Sequence, residues 1–127
     1  MINTIRAILA ARMATWTTTP ICWPNTAPLT ASNTPWVRFA VIPFSRTWPT
    51  VPAGTKRFMD GEVVVQVFVP SGSGDGTAAT LADSIGTLFS KYASGGVQCH
   101  EPSAPVVVGD MDGWYQINAV IPWRAEL

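Results

Sequence analysis

The stretch Glu62-Val63-Val64-Val65-Gln66-Val67-Phe68-Val69 decides the architecture. Val63, Val65, Val67 and Val69 make one all-valine side, opposed by Glu62, Val64, Gln66 and Phe68. Successive side chains of a strand point to opposite faces, so this two-residue period predicts a half-buried strand. Two further segments repeat the period. In Trp36 to Ile42, Val37, Phe39 and Val41 share one side and Trp36, Arg38 and Ala40 the other. In Trp114 to Trp123, Tyr115, Ile117, Ala119, Ile121 and Trp123 oppose Gln116 and Asn118. A fourth strand over 105–109 is expected to turn into the last through Asp110-Met111-Asp112-Gly113, because Asp-Gly supplies the positive φ of a tight hairpin.

Outside these strands the period changes. Ile2, Ile5, Ile8, Leu9, Met13 and Trp16 recur at three- and four-residue steps, which predicts an amphipathic helix over 2–14. Ala78, Leu81, Ala82, Ile85, Leu88, Phe89 and Tyr92 predict a second helix, with Asp75 or Thr77 as its cap and Gly95-Gly96 as its end. Between the first helix and the first long strand, residues 17–35 contain six Thr and four Pro. Proline removes donors and restricts its predecessor, so this is an extended crossing, with a short strand at Ile21 to Trp23. The expected fold is a single α+β domain over 1–127. Two helices pack on a mostly antiparallel sheet of four to five strands, and a long arm, 44–57, joins two of the strands.

Composition excludes several classes. The 47% hydrophobic and 13% charged content of the 127 residues is that of a folded core and not of a disordered chain. The formal net charge is zero, which gives no overall pull toward nucleic acid or anionic lipid. Its distribution is uneven. Residues 1–59 carry Arg6, Arg12, Arg38, Arg46, Lys56 and Arg57 and no acid, whereas residues 60–127 carry eight acids against Lys91 and Arg124. Such segregation suits a molecule with opposite-signed surfaces that pairs head to tail with its own copies. Cys22 and Cys99 match no zinc or redox spacing and read as reduced, buried thiols. Arg6 and Arg12 interrupt the apolar start, so neither a secretory signal nor a membrane span is expected there.

Motifs for chemistry fail on named residues. Ser71-Gly72-Ser73-Gly74-Asp75-Gly76 lies between a strand and a helix, where backbone amides can hold an anion. A phosphate loop ends in Gly-Lys-Ser/Thr, but here Gly76-Thr77-Ala78 follows, and Asp75 puts a negative charge where phosphate would sit. A phosphate-ligand module using Gly72 to Gly76 is therefore the weaker alternative. His100 is the only histidine and directly follows Cys99, so on a strand the two point apart and form no dyad. Asp110 and Asp112 fall in a turn, where Asp is favoured for local reasons. No enzyme, metal or cofactor is predicted.

Six tryptophans are more than so small a core readily hides, and tryptophan is enriched at interface hot spots. Trp16 and Trp123 suit the core. Trp48 lies in the 44–57 arm with Arg46, Lys56 and Arg57, in a connection long enough to have a function. The residues singled out for interfaces are Arg38, Arg46, Trp48, Lys56, Arg57, Asp75, Asp110 and Asp112. The basic arm also offers weak phosphate contacts to DNA passing nearby.

The order of segments resembles that of the tail terminator, or tail completion, proteins of long-tailed bacteriophages and prophages. The likeness rests on the helix Ile2 to Trp16, Ile21-Cys22-Trp23-Pro24-Asn25, Pro35-Trp36-Val37-Arg38-Phe39 and Asp60-Gly61-Glu62-Val63-Val64-Val65-Gln66-Val67. It continues through the Pro70 to Phe89 turn and helix, Asp112-Gly113-Trp114-Tyr115 and Ile121-Pro122-Trp123. The resemblance implies a structural virion protein without a cofactor, forming a ring, usually of six copies, on the tail tube. Such a ring ends tube polymerisation and offers the surface on which the head docks. Its implied partners are further copies of itself, the tail tube protein and the head–tail connector proteins. Assembly would take place in the bacterial host cytoplasm. Another head–tail joining or minor tail protein is the alternative within the same class.

Overall fold

The computed structural model describes residues 2–24, 34–47, 58–72 and 76–126, with only the backbone of 45–47. Two helices, α1 (Ile2–Met13) and α2 (Gly76–Phe89), accompany seven strands. The strands are β1 (Ile21–Cys22), β2 (Trp36–Thr47), β3 (Phe58–Pro70), β4 (Ala93–Ser94), β5 (Val97–Cys99), β6 (Val106–Met111) and β7 (Trp114–Glu126). They form one curled sheet in the order β1-β2-β3-β7-β5-β4, with β6 also paired to β7.

The valine stretch is the centre of this sheet. Along β3 every second residue is buried, from Met59 to Val69, and Val63, Val65, Val67 and Val69 are wholly inaccessible. Register carries the pattern across three strands. Val37 lies opposite Val67 and that opposite Ile117; Phe39, Val65 and Ala119 form the next row, and Val41, Val63 and Ile121 the one after. Each such valine or isoleucine contributes about 1.5–3 kcal/mol by leaving water, so one register satisfies all three strands and a one-residue slip satisfies none.

Both helices contribute to the same core. α2 buries Ala78, Leu81, Ala82, Ile85, Gly86 and Phe89 and packs mainly on β7 and β3. α1 contributes Ile5, Leu9 and Met13. A lone helix of twelve residues is marginal in water, so this burial holds it in place. Arg12 ties the helices together: its Nε donates to the Leu88 carbonyl at 2.8 Å, satisfying an acceptor in the last turn of α2, and its guanidinium lies 4.7 Å from the Tyr92 ring centre. Trp16 is buried and donates from Nε1 to Thr19 Oγ1 at 2.9 Å.

Three expectations are corrected. Among the described residues the sheet has seven strands, not four to five, and is mixed, because β1 runs parallel to β2 with Val37 N–H donating to the Pro20 carbonyl. The extra strands, β4 and β5, have two and three residues, too short to show a period. The second helix ends at Phe89, before Gly95-Gly96, and Lys91 takes the left-handed φ of 56° just beyond it. Gly95 and Gly96, at φ 56° and 85°, instead make the two-residue turn between β4 and β5. Finally, residues 44–47, placed in the arm, continue β2: Arg46 pairs with Met59 and Thr47 with Phe58. Residues 48–57 lie outside the described residues.

Candidate functional site

A sheet with both helices on one face leaves an open face and two edges. The open face is a graded surface. At one end the Trp36 ring stacks on Phe68 (4.3 Å between centres, 14° between planes), and Trp114 meets Trp36 edge-on at 6.1 Å. Arg38, the next residue on this side of β2, lies 5.5 Å from the Trp36 ring and 5.8 Å from the Phe68 ring. Gln116 Nε2 donates to Asn118 Oδ1 at 2.8 Å. At the other end Arg124 Nε donates to Asp60 Oδ1 at 2.7 Å and covers the Phe58 ring at 5.1 Å. The hydrogen bonds and charge of Asp60 hold the Arg124 guanidinium above its already high range. Two of its polar pairs, Gln116 with Asn118 and Arg124 with Asp60, satisfy each other, Arg38 and Arg124 are exposed, and the side chains between them are half-buried, as at a wet contact surface.

One edge is β6. Among the described residues its backbone pairs with β7 alone, and a bulge at Val107/Gly109 interrupts the register. Val106, Val107, Val108 and Met111 are all about half exposed or more. A tight turn at Asp112 (φ 51°) and Gly113 (φ 83°) joins β6 to β7, as the Asp-Gly pair predicts. Ser71 Oγ donates to Asp110 Oδ1 at 2.8 Å, and Ser71 N–H to the Gly113 carbonyl at 2.9 Å, so this hairpin tip is anchored to the end of β3.

The opposite edge is β1 with β2. Because β1 pairs only with Val37 and Arg38, the outer edge of β2 beyond it faces a groove of about 510 Å³ under α1. Arg6, Ala7, Ala10, Trp23, Phe39 and Val41 are among its lining residues. A second hollow, of about 350 Å³, lies between α2 and the 101–105 segment, with Asp83, Ser90 and Glu101 at its polar rim.

The segregated charge of the sequence becomes spatial. β1 and β2 stand at one end of the strand order and carry Arg38, and α1 brings Arg6 to the groove beside them, whereas its Arg12 reaches across to Leu88 at the end of α2. Asp110 and Asp112 lie on the β6–β7 hairpin across the middle strands from them, and Glu101 is paired with Lys91 at 3.5 Å. Of the residues singled out for interfaces, Arg38 is on the open face, whereas Asp110 and Asp112 are at the β6 edge. These three do not converge on a single point. The side chains of Arg46, Trp48, Lys56, Arg57 and Asp75 lie outside the described residues. The valines of β6 and the groove were not singled out. The signal for β6 was present, since Val106-Val107-Val108 is an apolar run with no polar alternation.

For chemistry the arrangement offers little. Cys99 is buried and burial pushes its thiol up to about 11, against the pull of the Arg12 guanidinium, which makes it a poor nucleophile at neutral pH. His100 is exposed next to it and directs its N–H to the Pro122 carbonyl. Among the described residues no three His, Cys, Asp or Glu side chains gather as a metal site, and no helix is long and apolar enough to cross a membrane. The hollow at the start of α2, lined by Gly76, Thr77, Thr80 and Leu81, has no cation among these residues to meet a phosphate.

A solved structure superposes over the full length of this chain and 96% of its own, with a TM-score of 0.71 and 23% identity, which shows a shared fold. No curated protein matches. The family model described as phage tail terminator protein matches residues 4–123, nearly the whole chain. The chain therefore belongs to the phage tail terminator proteins, structural components of the virion tail that contact other tail and head proteins.

Proposed function

We propose that this protein closes into a ring of six copies on the end of the tail tube. The ring ends tube polymerisation and provides the surface on which the head docks through its connector proteins. DNA passes through its opening, and assembly takes place in the host cytoplasm. The observation that carries the reading is the unlike charge of the two edges: Arg6 and Arg38 at the β1–β2 edge, and Asp110 and Asp112 at the β6–β7 hairpin. A contact between unlike edges is heterologous, and a heterologous contact that closes on rotation makes a ring. Like-charged edges repel, which favours the head-to-tail order over a symmetric dimer.

The test is genetic and microscopic. Phage lacking this protein should accumulate tails of uncontrolled length, and purified protein added to tail tubes should form ring-shaped caps in negative stain. A head–tail joining protein would instead leave tails of normal length without heads, and that outcome would refute the terminator reading.

A further inference from the structure

We infer that subunits join by strand addition, with β6 of one copy entering the groove between α1 and the outer edge of β2 of the next. The inference rests on the ring reading above and names the surfaces that make the ring.

Both partners of such a contact are on the subunit. β6 is the donor edge. It pairs with β7 on one side only, and Val106, Val107 and Val108 are 52%, 62% and 48% exposed. Proteins usually blunt an edge strand with charge, proline or brevity, because its free N–H and C=O groups template pairing with another chain. Here the run between Pro105 and Asp110 has three valines and no charge, and the bulge at Val107/Gly109 is the one blunting feature within it. The acceptor edge is β2. Val37 turns its N–H outward to Pro20, and backbone groups alternate sides along a strand, so Val41 also turns its N–H and C=O outward, while Pro43, next on that side, offers only its carbonyl and limits the added pairing to a short stretch around Val41. Among the described residues no strand pairs with that outer edge beyond Arg38. The groove alongside it offers apolar walls from Ala7, Ala10, Trp23 and Phe39, suited to valine side chains from an added strand.

Charge selects the occupant as a second copy in one arrangement. The hairpin that carries β6 ends in Asp110 and Asp112, while the groove is bordered by Arg6, with Arg38 on the adjoining open face. Pairing β6 with β6 would place the carboxylates of Asp110 and Asp112 against their own copies. Pairing groove with groove would oppose two Arg6 side chains. Only the unlike pairing joins opposite signs and leaves each subunit with one free edge of each kind.

Two variants of the full chain test this. Val107→Lys places a charge on the donor edge, and Ala7→Trp fills the groove from an exposed position on α1. Both sites are exposed in the subunit, so melting temperatures should stay close to wild type, which separates assembly loss from unfolding. Each variant alone should run as a monomer by light scattering, on and off tail tubes, where wild type assembles. Mixed together, they should give a one-to-one dimer and no ring, since the mixture contains only one intact kind of interface per pair. Rings formed normally by either variant, or a mixture that stays monomeric, would overturn this contact and leave the ring reading in place. Wild-type protein that never self-associates, with or without tubes, would overturn both.

Discussion

Gly61 faces the buried indole of Trp123 across the β3–β7 pair, and this contact makes a specific stability prediction. A Cβ added at Gly61 would meet the Ile42 carbonyl oxygen and approach the Trp123 ring at 2.5 and 2.8 Å. Neither neighbour can move cheaply. Ile42 O belongs to the β2 backbone, and Trp123 is only 1% exposed, among the largest fully buried side chains. Inserting a methylene into a filled core costs about 1–3 kcal/mol, and two rigid contacts place Gly61→Ala at about 3 kcal/mol. In a domain of this size that lowers the melting temperature by about 10 °C. The assay is thermal and urea unfolding of Gly61→Ala, Trp123→Leu and the double variant. The leucine removes the indole atoms nearest the new methyl, so the alanine penalty should fall by at least about 1 kcal/mol in that background. A melting temperature for Gly61→Ala within about 2 °C of wild type would refute the seating of Trp123 over this glycine. An unchanged penalty beside Trp123→Leu would assign the whole effect to the strand backbone at Ile42.

Other perturbations follow from the same packing. Leu9→Ala empties a position with no solvent exposure and should cost about 2–5 kcal/mol by urea unfolding, with loss of helical ellipticity as α1 detaches. Arg12→Ala removes the donor to Leu88 and should cost about 1–2 kcal/mol, and Arg12→Gln should recover part of it, because a glutamine amide can still donate. Cys99 should make stability fall with rising pH. Its thiol is raised to about 11 in the folded state, so between pH 9 and about 11 the unfolded chain sheds the proton first and gains the advantage; Cys99→Ala should flatten the slope in that window. Gly113→Ala forces an L side chain to φ 83° in the β6–β7 turn and should cost about 1 kcal/mol, read as a lower melting temperature.

The fold was legible where burial alternates over many residues. In β3 six buried positions, from Met59 to Val69, repeat one rule, and the helices bury the residues their spacing marks. The pieces that were misread lack such redundancy. β4 and β5 consist of five residues in all, and their pairing depends on a Gly-Gly turn that also looks like a helix stop. The true stop of α2, Lys91 at φ 56°, has no local sequence signature, because a lysine seldom takes that conformation. The parallel pairing of β1 is similarly hidden, since strand direction depends on how a connection returns and not on the residues that pair.

Of the surfaces proposed for assembly, the sequence marks the charge and not the apolar edge or the groove. Periodicity reports what a residue packs against inside its own chain, so it says nothing of edges that await another chain. Net charge is also silent here, being zero. The proposal draws on the segregation of sign along the sequence, because Arg6 and Arg38 come early in the chain and border the β1–β2 edge, while Asp110 and Asp112 come late and border β6. Had β2 been threaded to the centre, the same sequence asymmetry would have averaged out in space. Arg124 shows the point in reverse: it belongs to the acidic half, yet its bond to Asp60 at the middle strand neutralises it locally, so it does not blunt the acidity of the β6 hairpin. A subunit built this way has unlike edges because of where its strands fall in the sheet order, and unlike edges are what a closed head-to-tail ring requires.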